Sequence, residues 1–361
     1  MIYPYMRARS HESPHGRADH SRKEFKLKMS KPGLAGLAIG LIFMSSFTGQ
    51  CYGQLQVGFY EGKCSGKNVE AIVGGVIAGW IKKDPTIVAA LLRMQFHDCF
   101  VNWGCDASIL LDGSNSEKTA FPNLSVRGFD IIDAAKAAVE AVCPGVVSCA
   151  DIIVMATRDA VSLSGGEQYR VQTGRRDGLV SLAQNVNLPA PSISVSDSIK
   201  AFAHKGLGVT DMVYLLGGHT VGVAHCSLFK DRLYNFKNTG MPDPTMDPML
   251  LITLRLKCPQ NATIDNTAYL DQNLGEGLGS RCSVVEVVGE VGASGDDRWR
   301  SILQIDQEIS FDPQTMLTVI NAAWGCDFSF QFAQAMVKLG AVQVLTGTQG
   351  EIRASCRFVN S

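Results

Sequence analysis

Cysteine constrains this chain more than any other feature: ten of its eleven cysteines follow a stretch that reads as an export signal. Residues 1–28 are polar and basic, with His11, His15 and His20 among them. Met29, read here as the true start, opens a basic, then apolar run. Lys31 comes first, then Leu34 to Met44, then a small-polar stretch ending Cys51-Tyr52-Gly53. A basic start, roughly a dozen apolar residues and a small residue at the end describe a secretory signal peptide. The run is too short to span a membrane. Gly33, Gly36 and Gly40 disfavour a core helix there. The reading is an N-terminal extension plus signal over 1–53, cleaved near Gly53/Gln54, and one domain over 54–361. In an oxidising compartment the remaining ten cysteines are expected to pair. Their spacing has no C-x-x-C pair and no His-interleaved zinc pattern. Spacing leaves the connectivity open, since eight cysteines alone allow about a hundred pairings.

Charge divides the chain in the same place. Residues 1–53 hold eight of the 33 Lys/Arg and three of the 34 Asp/Glu, leaving 25 basic against 31 acidic side chains in the body. That balance gives no basic footprint for nucleic acid. With 46% hydrophobic and 19% charged residues the chain is not a disordered one. The body contains no later apolar stretch long enough for a membrane span.

Apolar residues recur at helical spacing over Val69–Trp80, Ile87–Phe100, Phe129–Val142 and Cys149–Leu163. Cys143-Pro144-Gly145 and Gly165-Gly166 act as stops. Ser194–Lys205, Thr210–Leu216, Ser227–Phe236, Met316–Ala323 and Phe328–Leu339 read as further helices, and strand alternation is rare. The expected class is all-α. Asn273–Arg300 is glycine-rich and carries no clear helix, and stands apart as an atypical segment.

Of the seven histidines, only His97, His204, His219 and His225 lie in the body. Arg93 and His97 are at i and i+4 of one apolar helix and so face the same way. That spacing suits a paired base and fixed cation, or merely a helical histidine. Asp98, Asp106 and Ser108 follow around Gly104, closed by Cys99 and Cys105. Oxygen-bearing side chains in a tight loop suit calcium, or form a solvated acidic loop. In Leu215-Leu-Gly-Gly-His-Thr-Val-Gly222, the two glycines let another group approach His219. A proximal haem ligand and a plain turn histidine both fit that setting.

Taken together, these segments resemble the class III secretory plant peroxidases over nearly all of 54–361. The motifs that carry the resemblance are Arg-Met-Gln-Phe-His-Asp-Cys-Phe, Gly-Cys-Asp-Ala-Ser-Ile-Leu-Leu, Arg-Gly-Phe-Asp, Val-Ser-Cys-Ala-Asp, Gly-Arg-Arg-Asp, Asn-Leu-Pro-Ala-Pro, Leu-Gly-Gly-His-Thr-Val-Gly, Asp-Arg-Leu-Tyr-Asn-Phe and Leu-Thr-Gly-Thr-Gln-Gly-Glu-Ile-Arg. The resemblance implies a plant-type haem peroxidase fold, with haem b between two helical halves and four disulfides. It implies His97 as distal base, Arg93 as the charge that stabilises the departing oxygen, and Asn123 as the partner that sets the His97 tautomer. His219 is implied as the iron ligand, with Asp306 accepting its other N–H, and Pro189 as a donor-binding residue at the haem edge. A distal calcium would take Asp98, the carbonyls of Val101 and Gly104, Asp106 and Ser108, with Glu117 supporting through water. A proximal calcium would take Thr220 and Asp271. The implied disulfides are Cys64–Cys143, Cys99–Cys105, Cys149–Cys356 and Cys226–Cys258.

The function so implied is a secreted monomeric peroxidase that reduces hydrogen peroxide to water and oxidises small phenolic donors, in peroxide removal and cell-wall phenol coupling. The ending at Ser361, with no long apolar tail, favours the wall over the vacuole. The chain departs from the family pattern in three places. Trp103 is one residue extra inside the Cys99–Cys105 loop, Cys282 and Cys326 are additional, and 273–300 replaces the expected Asp-Asn-x-x-Tyr context after Asp271. That last departure supports the rival reading, a secreted wall-binding protein that keeps the fold without the turnover.

Overall fold

The computed structural model describes residues 55–101, 104–270, 301–324 and 327–361. The chain divides at Tyr52/Gly53, and the first unit lies wholly outside the described residues. So do Trp103, Asp271, Cys282, Cys326 and the atypical segment.

Four helices build the first half: α1 (Val69–Ile81), α2 (Ile87–Cys99), α3 (Phe129–Glu140) and α4 (Cys149–Leu163). Two of these starts, those of α1 and α4, have a side-chain cap. Asn68 Oδ1 accepts the Ala71 N–H at 3.0 Å, and Ser148 Oγ accepts that of Asp151 at 3.1 Å, satisfying N–H groups that a first turn leaves unpaired. Helix α4 is buried on almost every side and packs against α1, α2 and α3. Val73, Ile77, Leu91, Met94, Ile132, Val139 and Ile153 form the core between them.

The second half has its own core, including Phe202, Met212, Phe229, Leu254, Ile309 and Phe332. Its helices are α5 (Val195–His204), α6 (Val209–Leu216), α7 (Lys230–Tyr234), α8 (Pro248–Lys257), α9 (Gln304–Glu308), α10 (Met316–Trp324) and α11 (Phe328–Gly340). Leu92 of α2 packs against both cores, and α11 packs on both α2 and α6. Helix α2 therefore lies at the seam between the halves. The described residues also form two small antiparallel pairs: β1 (Gln56–Val57) with β2 (Gln172–Thr173), and β3 (Val223–His225) with β4 (Thr267–Tyr269).

The all-α expectation holds in its main features. The helix expected over Ser227–Phe236 is broken. A 3-10 turn over Cys226–Leu228 and a non-helical φ of −138° at Phe229 precede the five-residue α7. Phe229 is fully buried and Cys226 is bridged to Cys258, so the chain bends to satisfy both anchors. All four implied disulfides are present: Cys64–Cys143, Cys99–Cys105, Cys149–Cys356 and Cys226–Cys258.

Three of the sequence motifs turn out to be buried braces. Asp177, from Gly-Arg-Arg-Asp, accepts the N–H groups of Cys149 and Ala150 at 3.1 and 2.9 Å and so caps α4. It also accepts the Arg353 N–H at 3.0 Å and faces that residue's guanidinium, both side chains being fully buried. Arg353 in turn donates to the carbonyls of Cys356 and Ala107 at 2.7 and 2.8 Å. Asp151 pairs with Arg175 at 2.8 Å and accepts the Tyr60 hydroxyl at 2.6 Å. These braces join segments far apart in the chain around the N-terminus of α4.

Asp177→Ala should strand the buried Arg353 charge and uncap α4. The expected loss is about 3–5 kcal/mol of unfolding free energy, the usual cost of breaking a buried pair. Denaturant titration of the disulfide-intact protein measures it, and a loss below roughly 1 kcal/mol, the range of an exposed pair, would show that the brace is dispensable.

Candidate active site

Helix α2 presents Arg93 and His97 one turn apart, as the i, i+4 spacing requires. The short 3-10 turn Phe121–Asn123 comes up against them. Asn123 Oδ1 lies 2.6 Å from His97 Nδ1, while Asn123 Nδ2 donates to the Glu117 carbonyl at 2.9 Å. The second contact fixes which way the amide points. Its oxygen must face His97, so His97 carries its proton on Nδ1 and keeps a lone pair on Nε2. Arg93 Nε donates to that lone pair at 3.2 Å. The rest of the guanidinium donates to the Pro122 carbonyl at 2.9 Å, and to the Ser125 carbonyl and hydroxyl at 3.1 and 3.0 Å. One loop thus holds both members of the pair. Sequence reasoning singled out Asn123 and missed the two Ser125 contacts and the Pro122 carbonyl, which no residue pattern encodes.

His97 is 7% exposed. Burial lowers its pKa, the Arg93 cation lowers it further, and only the Asn123 bond opposes, leaving it at about 4. The imidazole is therefore neutral at ordinary pH, as a base must be.

The acidic loop beside it contains unsatisfied carboxyl oxygens. Asp98 Oδ2 accepts the Ala107 N–H at 3.1 Å, Asp106 Oδ1 accepts that of Ser108 at 3.0 Å, and Ser108 Oγ donates to Glu117 Oε2 at 3.2 Å. Asp98 Oδ1 and Glu117 Oε1 are buried without a partner. Burial pushes all three carboxyls up, Glu117 to about 8. Orphaned buried carboxylate oxygens are what a hard cation satisfies. No three His, Cys, Asp or Glu side chains among the described residues are arranged to hold a metal alone. The donor set is instead mixed, with the Ser108 hydroxyl and main-chain oxygens needed beside the carboxylates. Of the carbonyls expected to ligate, Val101 O already accepts from the Lys205 ammonium and the Gly104 N–H, and Gly104 O from the Asp106 N–H. Gly104 O keeps a second lone pair, while both lone pairs of Val101 O are taken, so a cation there would displace one of its two donors.

In the second half, α6 runs into a 3-10 turn, Gly217–Thr220, that carries His219. Gly217 is required there: a Cβ would lie 2.5 Å from the Phe328 ring of α11. Asp306 of α9 takes the His219 Nδ1 proton with both oxygens, at 2.8 and 2.9 Å. Burial opposes protonation of His219, but the Asp306 charge and hydrogen bond outweigh it and raise its pKa. With Nδ1 so engaged, Nε2 is the free donor, which is how a carboxylate orients a metal-binding histidine. Next to it, Thr220 Oγ1 is buried without a partner, an orphan that fits a proximal cation. Asp271, its expected co-ligand, lies outside the described residues. Pro189 is half-buried in its loop, and the Pro191 carbonyl accepts the Ile305 N–H at 3.0 Å, tying that loop to α9. His204 is exposed at the end of α5, and His225 lies 3.5 Å from the surface residue Asp265. Neither shares in these clusters.

The peroxidase family model matches residues 73–323. Peroxidase 60 of Arabidopsis thaliana is 50% identical over 315 residues, covering 86% of this chain and 92% of that protein. Peroxidase 57 of the same plant is 49% identical over 310 residues, and Peroxidase N1 of Nicotiana tabacum 42% over 311, which cover 94% and 90% of those proteins. A neutral histidine beside a fixed arginine, a second histidine held by a carboxylate, and this identity along almost the full length of such relatives lead to one conclusion: the chain belongs to the class III plant peroxidases.

Proposed function

We propose that this enzyme reduces hydrogen peroxide to water and takes the electrons, one at a time, from small phenolic donors outside the cell, at the wall. The observation that carries the reading is the 2.6 Å contact between His97 Nδ1 and Asn123 Oδ1, which leaves Nε2 as a proton acceptor. Haem b, once bound, supplies the electrons for cleaving the O–O bond and takes single electrons back from the donor. The protein moves the proton. Nε2 of His97 accepts it from the incoming peroxide and returns it to the departing oxygen, which leaves as water. Arg93 is released from Nε2 as the peroxide enters, and its guanidinium carries the charge on that oxygen.

His219 Nε2 is the proposed haem ligand, and Asp306 increases its donor strength by drawing on the Nδ1 proton. Asp98, Val101, Gly104, Asp106, Ser108 and Glu117 would hold the distal calcium, and Thr220 with Asp271 the proximal one. Pro189 is the proposed donor contact. The intact Arg93–His97–Asn123 and His219–Asp306 sets speak against a fold kept without turnover.

The visible spectrum of purified protein tests this first: a Soret band that shifts on adding peroxide is expected. His97→Ala should keep the haem and slow peroxide cleavage at least about 10²–10⁴-fold, the usual worth of a general base. Stopped-flow rates measure it, and a rate near wild type removes His97 from the mechanism.

Calcium should be held unequally. Metal analysis is expected to find about one ion per chain, because a hard cation binds where donors are many and prearranged. Chelation should then lower the melting temperature. Two tightly held ions would show a complete proximal site.

Both Asn123-Leu-Ser125 and Asn261-Ala-Thr263 are glycosylation sequons. Asn123 is 2% exposed and Asn261 is open to solvent. Glycan should appear at Asn261 alone when peptides are mapped with and without glycosidase. Glycan at Asn123 would mean its loop faces solvent rather than His97.

A further inference from the structure

Asp306 can hold His219 only if α9 is itself held. That helix is five residues long, too short to keep its place by its own hydrogen bonds. We infer that Arg232, acting with Gln307 and Thr245, is the positioning unit for Asp306, and so sets how strongly Asp306 draws on the His219 Nδ1 proton. The inference rests on His219 being the haem ligand.

Arg232 is on α7 and is 1% exposed. Its guanidinium is spent almost entirely on the chain around Asp306. Nη1 donates to the Ser301 and Ile302 carbonyls at 2.8 and 2.6 Å, and Nη2 donates to Gln307 Oε1 at 2.5 Å. Contacts thus fall on both sides of Asp306 in sequence. Nε pairs with Asp243 at 2.9 Å, which balances the buried charge. Gln307 is held at its other end too, its Nε2 donating to the Thr245 carbonyl and hydroxyl at 2.7 and 2.6 Å. Thr245 Oγ1 donates to Asp243 Oδ1 at 2.6 Å, and the Asp243 N–H returns to the Arg232 carbonyl at 2.8 Å. The result is a closed polar ring that grips the segment carrying Asp306.

A planar guanidinium suits this task, because its donors leave in fixed directions and tie several acceptors at once. A lysine would keep the charge and lose the fan. A ring that only stabilised the fold would influence melting and nothing else. A ring that positions Asp306 must also change the His219–Asp306 hydrogen bond, and with it the donor strength of Nε2.

Arg232→Lys and Gln307→Leu both keep the positive charge at 232, so any change they cause reports geometry. The haem-loaded full chain is reduced, and the iron–histidine stretching frequency is read by resonance Raman. Wild type should show it and His219→Ala should lose it. Both ring variants should shift it downward, as a loosened Asp306 draws less on the proton, with far-UV circular dichroism unchanged. Thr245→Val, one step further out, should shift it less and serves where either variant fails to fold. Wild-type frequency in folded Gln307→Leu or Thr245→Val would overturn the positioning role alone. A frequency unchanged in His219→Ala would overturn the ligand assignment, and this inference with it.

Discussion

Glu117 joins the two requirements of the distal side in one residue. Its carbonyl fixes the Asn123 amide, and its carboxylate receives the Ser108 hydroxyl inside the acidic loop. Rotate the Asn123 amide and His97 loses its tautomer. Loosen Glu117 and the amide is free to rotate. The carboxylate is buried with one oxygen unpartnered, a costly state that a cation in the loop relieves. A cation bound there would hold Glu117, Glu117 would hold Asn123, and Asn123 would hold the proton on Nδ1 of His97. Asp98 adds a second, shorter link, since it follows His97 directly on α2 and binds the Ala107 N–H across the loop.

The same imidazole side chain is tuned in opposite directions on the two sides. His97 is buried against a cation and faces a neutral amide, so its basicity falls to about 4. His219 is half-buried against a carboxylate, so its basicity rises. In the proposed roles, the first is a base waiting for a proton, the second a ligand made electron-rich. Burial lowers both, and the neighbouring charges then act with opposite sign, Arg93 on His97 and Asp306 on His219.

Much of this was legible in the sequence, for identifiable reasons. Helices α3 and α4 stood out because apolar residues at helical spacing end at sharp stops. Arg93 and His97 stood out because i, i+4 is a geometric statement. Helix α8 did not, because its outward face carries Met249, Ile252 and Leu256, and an apolar outer face hides the period. Strands β3 and β4 are three residues each, too short for an alternation to register. The disulfide pairing came only from the resemblance, because spacing leaves it open. Arg232 was visible only as a letter in Asp-Arg-Leu-Tyr-Asn-Phe. Its role depends on Ser301, Ile302 and Gln307, about seventy residues further along, and no local pattern announces a contact of that range.

That long reach bears on the departure after Asp271. Chain continuity alone would make α9 depend on whatever precedes it. In the structure, the first described residues after position 300 are Ser301 and Ile302, and their carbonyls are gripped by Arg232 from α7. The Ile305 N–H is gripped by the Pro191 carbonyl, from the loop that holds Pro189. Asp306 is therefore placed by α7, by Asp243 and Thr245, and by the proline loop, all earlier in the chain than the atypical stretch. A hydrogen-bonded brace of this kind acts across space, so the sequence between its two ends can vary at little cost to the geometry it fixes. By this logic, a change confined to 273–300 acts first on the cation expected at Thr220 and Asp271. Its expected route to the His219–Asp306 pair runs through Thr220, the chain neighbour of His219.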